Sequence, residues 1–304
     1  MTRLVPIVLG HNAFFGVDHL SAARGAERAA FFAEPKRILD VISSSVEMGA
    51  GGMMMSTHER AEAVCDLLRS ETSLAQRLRL YPLLPYAQKY ITRANEVGLV
   101  NVAFEALAQT TLREKFSMGW QVAKGVVTKD LFSMISALVR LELKMFRGLD
   151  VGAVFLHDVL TDLLLALRLR EVFAFYIEEI KAAHGADGAF ATKNLPLLCR
   201  SFEEWQLPPP VVMTHFNKAG FHMNPSREAC EQAMQTHSPN VMAMGTLASG
   251  FLKPDEAYAY LATVPNIRSV VVGVSSPSHV SETFAAIRKH GLGSDRSNGF
   301  SAQS

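Results

Sequence analysis

The clearest structural signal in the sequence lies in residues 267–282, which read IRSVVVGVSSPSHVSE. The apolar run Ser269–Val272 ends at Gly273, and a continuous apolar run of this kind is typical of a parallel strand buried on both faces. The Ser-Pro pair at 276–277 then predicts a helix over Ser278–Lys289, because Pro suits the first helical position. Free backbone amides at a helix start favour anions, so this edge is a candidate anion site. The alternative is a capped helix that binds nothing.

Seven further apolar runs precede this one, and each leads into polar residues. They are Pro6–Leu9, Gly52–Met55, Leu78–Leu84, Gly152–Leu156, Gly188–Ala191, Val211–Met213 and Val241–Met244. Helical patterns lie between them at Pro35–Met48, Glu59–Leu68, Leu160–Ala182 and Pro225–Thr236, the last with Asn224 as its expected cap. Eight alternating strand and helix units predict an α/β protein that folds as a single (β/α)8 TIM barrel.

The 304 residues fit one such barrel with additional segments. The third and fourth strands are separated by about twice the usual length of a connecting unit. We therefore expect a helical insertion between strands 3 and 4, over residues 95–147, which forms a lid or a contact in a homo-oligomer. The predicted domain spans residues 1–290, and the polar tail at 291–304 is expected to be disordered.

Composition and charge exclude several classes of protein. With 49% hydrophobic residues the chain can bury a large core, and a net charge of +1 gives no basic field for nucleic acid. The three cysteines are widely spaced and form no CxxC pair, which excludes a disulfide framework and a zinc knuckle. The N-terminus has no signal-peptide pattern, and charges interrupt the most apolar region, Val151–Leu167. We expect a cytoplasmic protein that contacts neither nucleic acid nor a membrane.

Ionisable side chains follow five of the predicted strands. They are His11, His58, His157, Lys193 and His215, after strands one, two, four, five and six. Chemistry in this fold lies at the C-terminal ends of the strands, so we expect them to converge on one mouth. Converging imidazoles can act as acid and base, or the four histidines can bind a divalent metal. The structural alternative is that each His caps a helix or bonds to a nearby carbonyl.

The remaining histidines receive different interpretations. His184, His237 and His290 are expected at helix C-termini, where a cation meets the negative end of the helix dipole. His19 and His222 lie in loops beside the expected mouth, and the sequence does not decide between a structural and a functional role for them. The sequence contains no GxGxxG, Walker, HExxH or GxSxG motif, which disfavours a doubly wound dinucleotide fold, a P-loop enzyme and a nucleophile-elbow hydrolase.

Residues 267–282, together with residues 243–252 (AMGTLASGFL), resemble the C-terminal half of the aldo-keto reductases. In that family the loops after strands seven and eight hold the phosphate and ribose end of NADPH. The resemblance therefore implies that NADP(H) is bound by Gly245, Thr246, Leu247, Gly273, Ser275, Ser276 and Ser278. It covers most of the chain weakly and is specific only towards the C-terminus.

The family uses an Asp, Tyr, Lys and His tetrad, from which this sequence departs. His157 matches the histidine at the end of strand four, but the segment after strand two, residues 56–59, reads STHE and holds neither the Asp nor the Tyr. The lysine after strand three has no clear counterpart, unless Lys89 or Tyr86 substitutes for it. Reduction of a carbonyl by hydride needs a proton donor at the developing alkoxide. His58 or His157 would have to replace the tyrosine, or a metal would act as the electrophile.

Three functions follow from these residues. The first is NAD(P)-linked oxidoreduction of a small polar carbonyl or alcohol, with a histidine as the acid. The second is a metal-dependent or cofactor-free lyase, isomerase or hydrolase, in which Glu59 or Asp158 assists the histidine cluster. Its substrate would be a small polar molecule, with a phosphorylated, anionic one as an alternative. The third is a binding barrel that has lost catalysis.

Overall fold

The computed structural model describes residues 4–16, 21–85, 132, 133, 135–273 and 277–292. In these ranges eight parallel strands form a closed barrel in chain order. The strands are β1 (Ile7–Gly10), β2 (Gly52–Ser56), β3 (Arg79–Leu84), β4 (Ala153–Leu156), β5 (Asp187–Ala191), β6 (Val211–His215), β7 (Asn240–Met244) and β8 (Ile267–Gly273). The predicted (β/α)8 TIM barrel is confirmed, and each predicted apolar run is a strand.

Helices surround this barrel on its outer face. They are α1 (Ala22–Phe31), α2 (Pro35–Glu47), α3 (Glu59–Ser70), α4 (Thr72–Ala75), α5 (residues 135–143), α6 (Asp158–Ala166), α7 (Arg170–His184), α8 (Leu195–Glu204), α9 (Arg227–His237), α10 (Pro254–Thr263) and α11 (Pro277–Lys289). Short 3-10 turns occupy Lys144–Phe146 and Ala248–Gly250. Among the described helices, none is long and apolar enough to cross a membrane.

Two of the predicted helices differ from the structure. The stretch Leu160–Ala182 forms two helices, because Arg168 adopts a left-handed conformation (φ 54°) between α6 and α7. The prediction that α9 starts at Pro225 with Asn224 as its cap is wrong. Ser226 caps α9, and its hydroxyl accepts a hydrogen bond from the N–H of Ala229 at 3.2 Å.

The core of the barrel has two layers, because side chains along a strand alternate between its two faces. The inner layer fills the barrel and includes Val8, Met54, Tyr81, Phe155, Ala191, Met213, Met242 and Val271. The outer layer packs the strands against the helices and includes Leu9, Met53, Met55, Leu84, Val154, Phe190, Val212 and Val272. The strand residues that continue the inner alternation towards the C-terminal ends therefore face the mouth of the barrel.

Tyr81 fills the lower part of the interior. Its hydroxyl accepts a hydrogen bond from the N–H of Val5 at 2.8 Å. A Cβ atom at Gly52 would lie 2.6 Å from its ring, and one at Gly152 would lie 2.9 Å from it. The tyrosine ring fits because both neighbouring strands carry glycine beside it.

The last part of the predicted insertion packs against the barrel. Val139 and Leu143 of α5, with Phe146, are buried in the outer core layer. Arg69 at the end of α3 donates hydrogen bonds to the carbonyls of Met145 and Arg147. The rest of the predicted insertion and residues 293–304 of the predicted tail lie outside the described residues. The single domain and the homo-oligomer contact remain predictions.

Candidate active site

Polar side chains line the mouth at the C-terminal ends of the strands. The strand ladder continues through His157, whose N–H donates to the carbonyl of Leu84 at 2.6 Å. Alternation places His157 on the interior side after Phe155, and His215 after Met213. By the same alternation Ser56 follows Met54 on the interior side. The mouth is therefore lined from several different strands.

The ring of Phe15 contacts both His11 and His58. His11 directly follows β1 and is only 6% exposed. Its ring lies 5.2 Å from the ring of Phe15, which stacks on His58 at 4.7 Å. Burial and the charges of His58 and His157 lower the pKa of His11 to about 4, although a hydrogen bond with the backbone of Met54 opposes the shift. His11 is therefore uncharged at neutral pH, and it lies near enough to His58 and His157 for their charges to lower its pKa.

Asp158 holds the imidazole of His157. Nδ1 of His157 lies 2.6 Å from Oδ1 of Asp158. A nitrogen and a carboxylate oxygen come this close only when a proton lies between them, so Nδ1 carries that proton. The N–H of Val159 lies closer to Oδ1 of Asp158, at 2.9 Å, than to Nδ1 of His157, at 3.3 Å. Nε2 of His157 is then the nitrogen available to a substrate.

Asp158 is a permanent carboxylate that also contacts Lys193. Burial on its own would raise the pKa of Asp158, but the hydrogen bond and charge of His157, the charge of Lys193 and the N–H of Val159 lower it to about 2. Nζ of Lys193 lies 3.5 Å from Oδ2 of Asp158. This carboxylate thus links the ends of β4 and β5, and it brings two of the predicted site residues together.

Two of these histidines also begin helices. Nδ1 of His58 accepts a hydrogen bond from the N–H of Arg60 at 3.1 Å, and His58 is the N-cap residue of α3. His157 occupies the same position in α6. Helix capping by the side chain, the structural alternative, therefore holds for His58 together with its position at the mouth, whereas Nδ1 of His157 donates to Asp158. Because Nδ1 of His58 is an acceptor, its neutral imidazole carries the proton on Nε2.

His215 packs on the loop after β7. A Cβ atom at Gly245 would lie 2.5 Å from Cδ2 of His215, and Gly245 has a φ of 61°. Only glycine suits this position, both for its backbone conformation and for the close approach. On its other side His215 stacks on His222, with ring centroids 5.1 Å apart. His222, whose position the sequence left undecided, therefore lies beside His215.

Asn217 fixes the loop that carries His222. The side chain is fully buried; its Nδ2 donates to the carbonyls of Phe221 at 2.9 Å and Gly245 at 3.2 Å. Its Oδ1 accepts from the N–H of Phe221 at 2.8 Å. One amide therefore ties the loop after β6 to the loop after β7 and holds His215 and His222 against each other.

Two carboxylates near the mouth were not predicted from the sequence. Asp162 of α6 accepts hydrogen bonds from the hydroxyl of Thr192 and from the N–H of Lys193 at 3.1 Å. Burial raises the pKa of Asp162 against the effect of these bonds. Glu142 of α5 is buried and accepts a hydrogen bond from the hydroxyl of Thr57. The spacing of Asp158 and Asp162 along α6 was the available signal for the first, since residues four apart share a helix face.

The residues predicted to hold a cofactor lie in the loops after β7 and β8. Gly245 supports His215, and the buried hydroxyl of Thr246 lies 3.4 Å from that of Tyr258. Leu247 precedes the 3-10 turn, and Gly273 ends β8 with no atom within 4 Å of where a Cβ would be. Several predicted or open positions lie outside the described residues or have no described side chain: His19, Glu59, Tyr86, Lys89, Ser275, Ser276 and Ser278.

The three histidines expected to be structural lie at helix C-termini. His184 and His237 are the last residues of α7 and α9, and His290 follows α11. His237 lies 2.9 Å from Glu203, and His290 lies 2.9 Å from Asp255.

A metal site was the alternative role for His11, His58, His157 and His215. Within the described ranges, no three residues among His, Cys, Asp and Glu are arranged so that they could hold a metal ion.

The fold is similar to that of aldo-keto reductases of known structure. A candidate aldo-keto reductase from Pseudomonas aeruginosa superposes with a TM-score of 0.60 at 14% identity, covering 94% of this chain and 90% of that chain. A thermostable aldo-keto reductase solved with the inhibitor epalrestat gives 0.56 at 12% identity, covering 94% and 90%. The holo form of one from Bacillus halodurans gives 0.53 at 12%, covering 84% and 86%.

These comparisons confirm the resemblance at the level of the fold. No family model matches the sequence, and no curated protein matches it. Because a fold hosts many chemistries, the activity has to be argued from the mouth itself.

Proposed function

We propose that the chain is an NAD(P)-linked oxidoreductase that interconverts a small polar carbonyl compound and its alcohol, with a histidine as the proton donor. The observation that carries this proposal is the bond between Nδ1 of His157 and Asp158, which leaves Nε2 of His157 as the nitrogen that can meet a substrate. The similarity of the barrel to those of aldo-keto reductases supports the reaction class.

Two imidazoles can supply the proton that the reaction needs. Asp158 orients His157 and balances the charge that its imidazole carries when protonated, as a carboxylate does for a catalytic histidine. His58 presents an Nε2–H donor, since its Nδ1 accepts from Arg60. Either donor can stabilise the developing alkoxide. In aldo-keto reductases this is the role of the tyrosine, which this sequence lacks. Lys193 balances the charge of Asp158, and His11 and His215 line the mouth.

We assign the phosphate-bearing end of a dinucleotide to the loops after β7 and β8. The thirteen-residue helix α11 starts four residues after Gly273, so its N-terminus points its dipole and amides to the C-terminal edge. The space beside Gly273 is open, and the left-handed residues Gly245, Ala248 and Ser249 shape the loop after β7. When bound, NAD(P)H supplies the hydride that the carbonyl carbon accepts. Backbone groups and hydroxyls, rather than a cluster of cations, would hold it.

Cofactor binding and turnover test the proposal together. Thermal shift with NADPH and NADH at millimolar concentration should raise the melting temperature, and aldehydes should oxidise the bound cofactor. Asp158→Asn should leave cofactor binding intact and lower turnover, because the imidazole of His157 loses its orienting carboxylate. Absence of any shift with either cofactor would overturn the proposal.

A cofactor-free isomerase or lyase is the second candidate. It is favoured by the group of three electrostatically coupled imidazoles, His11, His58 and His157, of which His11 is uncharged at neutral pH. Imidazoles in such a group can remove a proton and return it elsewhere without a hydride step. Exchange of substrate protons with solvent deuterium in the absence of nicotinamide would favour this candidate.

A further inference from the structure

Two buried polar atoms at the mouth have no hydrogen-bond partner among the described residues. They are Nδ1 of His11 and Oγ of Ser56. His11 is 6% exposed and Ser56 is 3% exposed, so bulk water does not hydrogen-bond to these atoms in place of a protein partner. Buried polar groups are nearly always paired, and an orphaned pair at a functional mouth points to a ligand group that completes it.

Both atoms belong to the same side of the mouth. Strands β1 and β2 are neighbours, with Leu9 opposite Met53, so that His11 follows β1 beside the end of β2. His11 hydrogen-bonds with the backbone of Met54. Ser56 is the next residue after Met54 on the interior face, and it ends β2. His11 and Ser56 thus follow or end the neighbouring strands β1 and β2 on the same side of the mouth.

The chemistry of the pair is that of neutral groups. The hydrogen bond with the Met54 backbone raises the pKa of His11, so a ring N–H makes it. Because Nδ1 has no partner among the described residues, we assign that N–H to Nε2. Because burial keeps this imidazole uncharged, Nδ1 presents a lone pair that needs a donor. The hydroxyl of Ser56 can donate or accept. A substrate hydroxyl satisfies both atoms, since it has one proton to give and lone pairs to receive.

We propose that Nδ1 of His11 and Oγ of Ser56 form a subsite for a hydroxyl group of the substrate, so that the preferred substrate is a hydroxylated carbonyl compound or its polyol product. This inference rests on the proposed oxidoreductase function. A carboxylate or phosphate would not suit this subsite, because an anion brings no proton to the lone pair of Nδ1. The small polar substrate is thereby narrowed to one that is neutral and hydroxylated at this point.

A pair of isosteric aldehydes tests the subsite. Glycolaldehyde and propanal differ by a hydroxyl in place of a methyl group, and a site that bonds a hydroxyl strongly rejects the analogue that lacks it. We expect kcat/KM with NADPH to favour glycolaldehyde by at least tenfold, after correction for hydration. Ser56→Ala should reduce that ratio severalfold by lowering kcat/KM for glycolaldehyde. An equal loss for both aldehydes in Ser56→Ala would overturn the inference.

A binding measurement separates this inference from the proposed function. Ethylene glycol should shift the imidazole ¹⁵N resonance of His11, whereas 1,2-dimethoxyethane, whose oxygens carry no proton, should not; His290 serves as the internal control. If ethylene glycol shifts the His11 resonance but the protein reduces no aldehyde, the oxidoreductase proposal is wrong and the subsite is supported. If the protein reduces both aldehydes with equal efficiency and the His11 resonance does not shift, the subsite is wrong and the oxidoreductase proposal is supported.

Discussion

Nδ1 of His157 and Oδ1 of Asp158 lie 2.6 Å apart, although the two residues are neighbours in the chain at the junction of β4 and α6. Neighbouring residues rarely face each other in regular structure, but here the first residue is a helix cap and the second opens the helix. The turn into α6 thus builds the contact locally. This contact is the basis of the first prediction.

Replacing His157 separates its position at the start of α6 from its chemical role. At the N-cap position an Asn side chain can accept from the N–H groups of the first turn and Ala cannot, so the free energy of unfolding of His157→Ala should lie about 1 kcal/mol below that of His157→Asn. Both variants should lose at least about 100-fold in turnover, because neither side chain transfers a proton at neutral pH. Urea unfolding and steady-state assays give the two readouts. Full turnover in His157→Asn would show that the imidazole takes no part in the reaction.

Stability should fall as pH decreases because of His11. Burial holds the folded pKa of His11 at about 4, below the unfolded value of 6.5, so protonation favours the unfolded chain. The contribution of this group is fully present above pH 6.5 and is lost as pH falls towards 4. We expect a loss of about 2 kcal/mol between pH 7 and pH 5 by linkage.

Urea unfolding of wild type and His11→Gln at these two pH values measures that loss. His11→Gln should unfold with a weaker pH dependence in this window, since Gln does not titrate. An unchanged dependence in the variant would assign the acid sensitivity to other groups.

Gly245→Ala should displace His215. The added Cβ would lie 2.5 Å from Cδ2 of the ring, in addition to the strain of a φ of 61°. Gly250→Ala is the matched control, because Gly250 has a φ of 89° with no atom within 4 Å of a Cβ. We expect about 1 kcal/mol of destabilisation in the control from backbone strain, and clearly more in Gly245→Ala. Equal melting temperatures for the two variants would contradict the close contact.

Asn217→Ala should loosen both loops at the β6 and β7 ends. The substitution removes three part-buried hydrogen bonds to backbone groups of Phe221 and Gly245. We expect a loss of about 2–3 kcal/mol and faster amide exchange in residues 217–223. Gln232→Ala, which removes one exposed side-chain bond, should cost less than about 0.5 kcal/mol. Protection of the loop that survives in Asn217→Ala would contradict the role of this amide.

The barrel was predictable because buried parallel strands are written as continuous apolar runs, as at Val270–Val272. The break between α6 and α7 was not, since Arg168 is an ordinary residue in a left-handed conformation that its neighbours impose. The start of α9 was misplaced because Asn224 and Ser226 are both good capping residues, and only the loop conformation selects Ser226.

The site was predictable to the extent that it follows strand ends. The positions of His157 and His215 come from alternation along β4 and β6, which the sequence carries. The stack of Phe15 on His58 and the bond between Asp162 and Thr192 join residues from different units of the barrel. Such contacts depend on loop conformation, for which a single sequence has no periodic signal.

The local bonds of His58 to the N–H of Arg60 and of His157 to Asp158 determine when these two side chains become ordered. Freezing a flexible side chain during binding costs about 0.5–1.5 kcal/mol, which weakens affinity. Here each imidazole is already held when its helix forms, so the loss of rotational freedom belongs to folding and not to the encounter with a substrate. A ligand that enters the mouth therefore meets two imidazoles that do not have to rearrange.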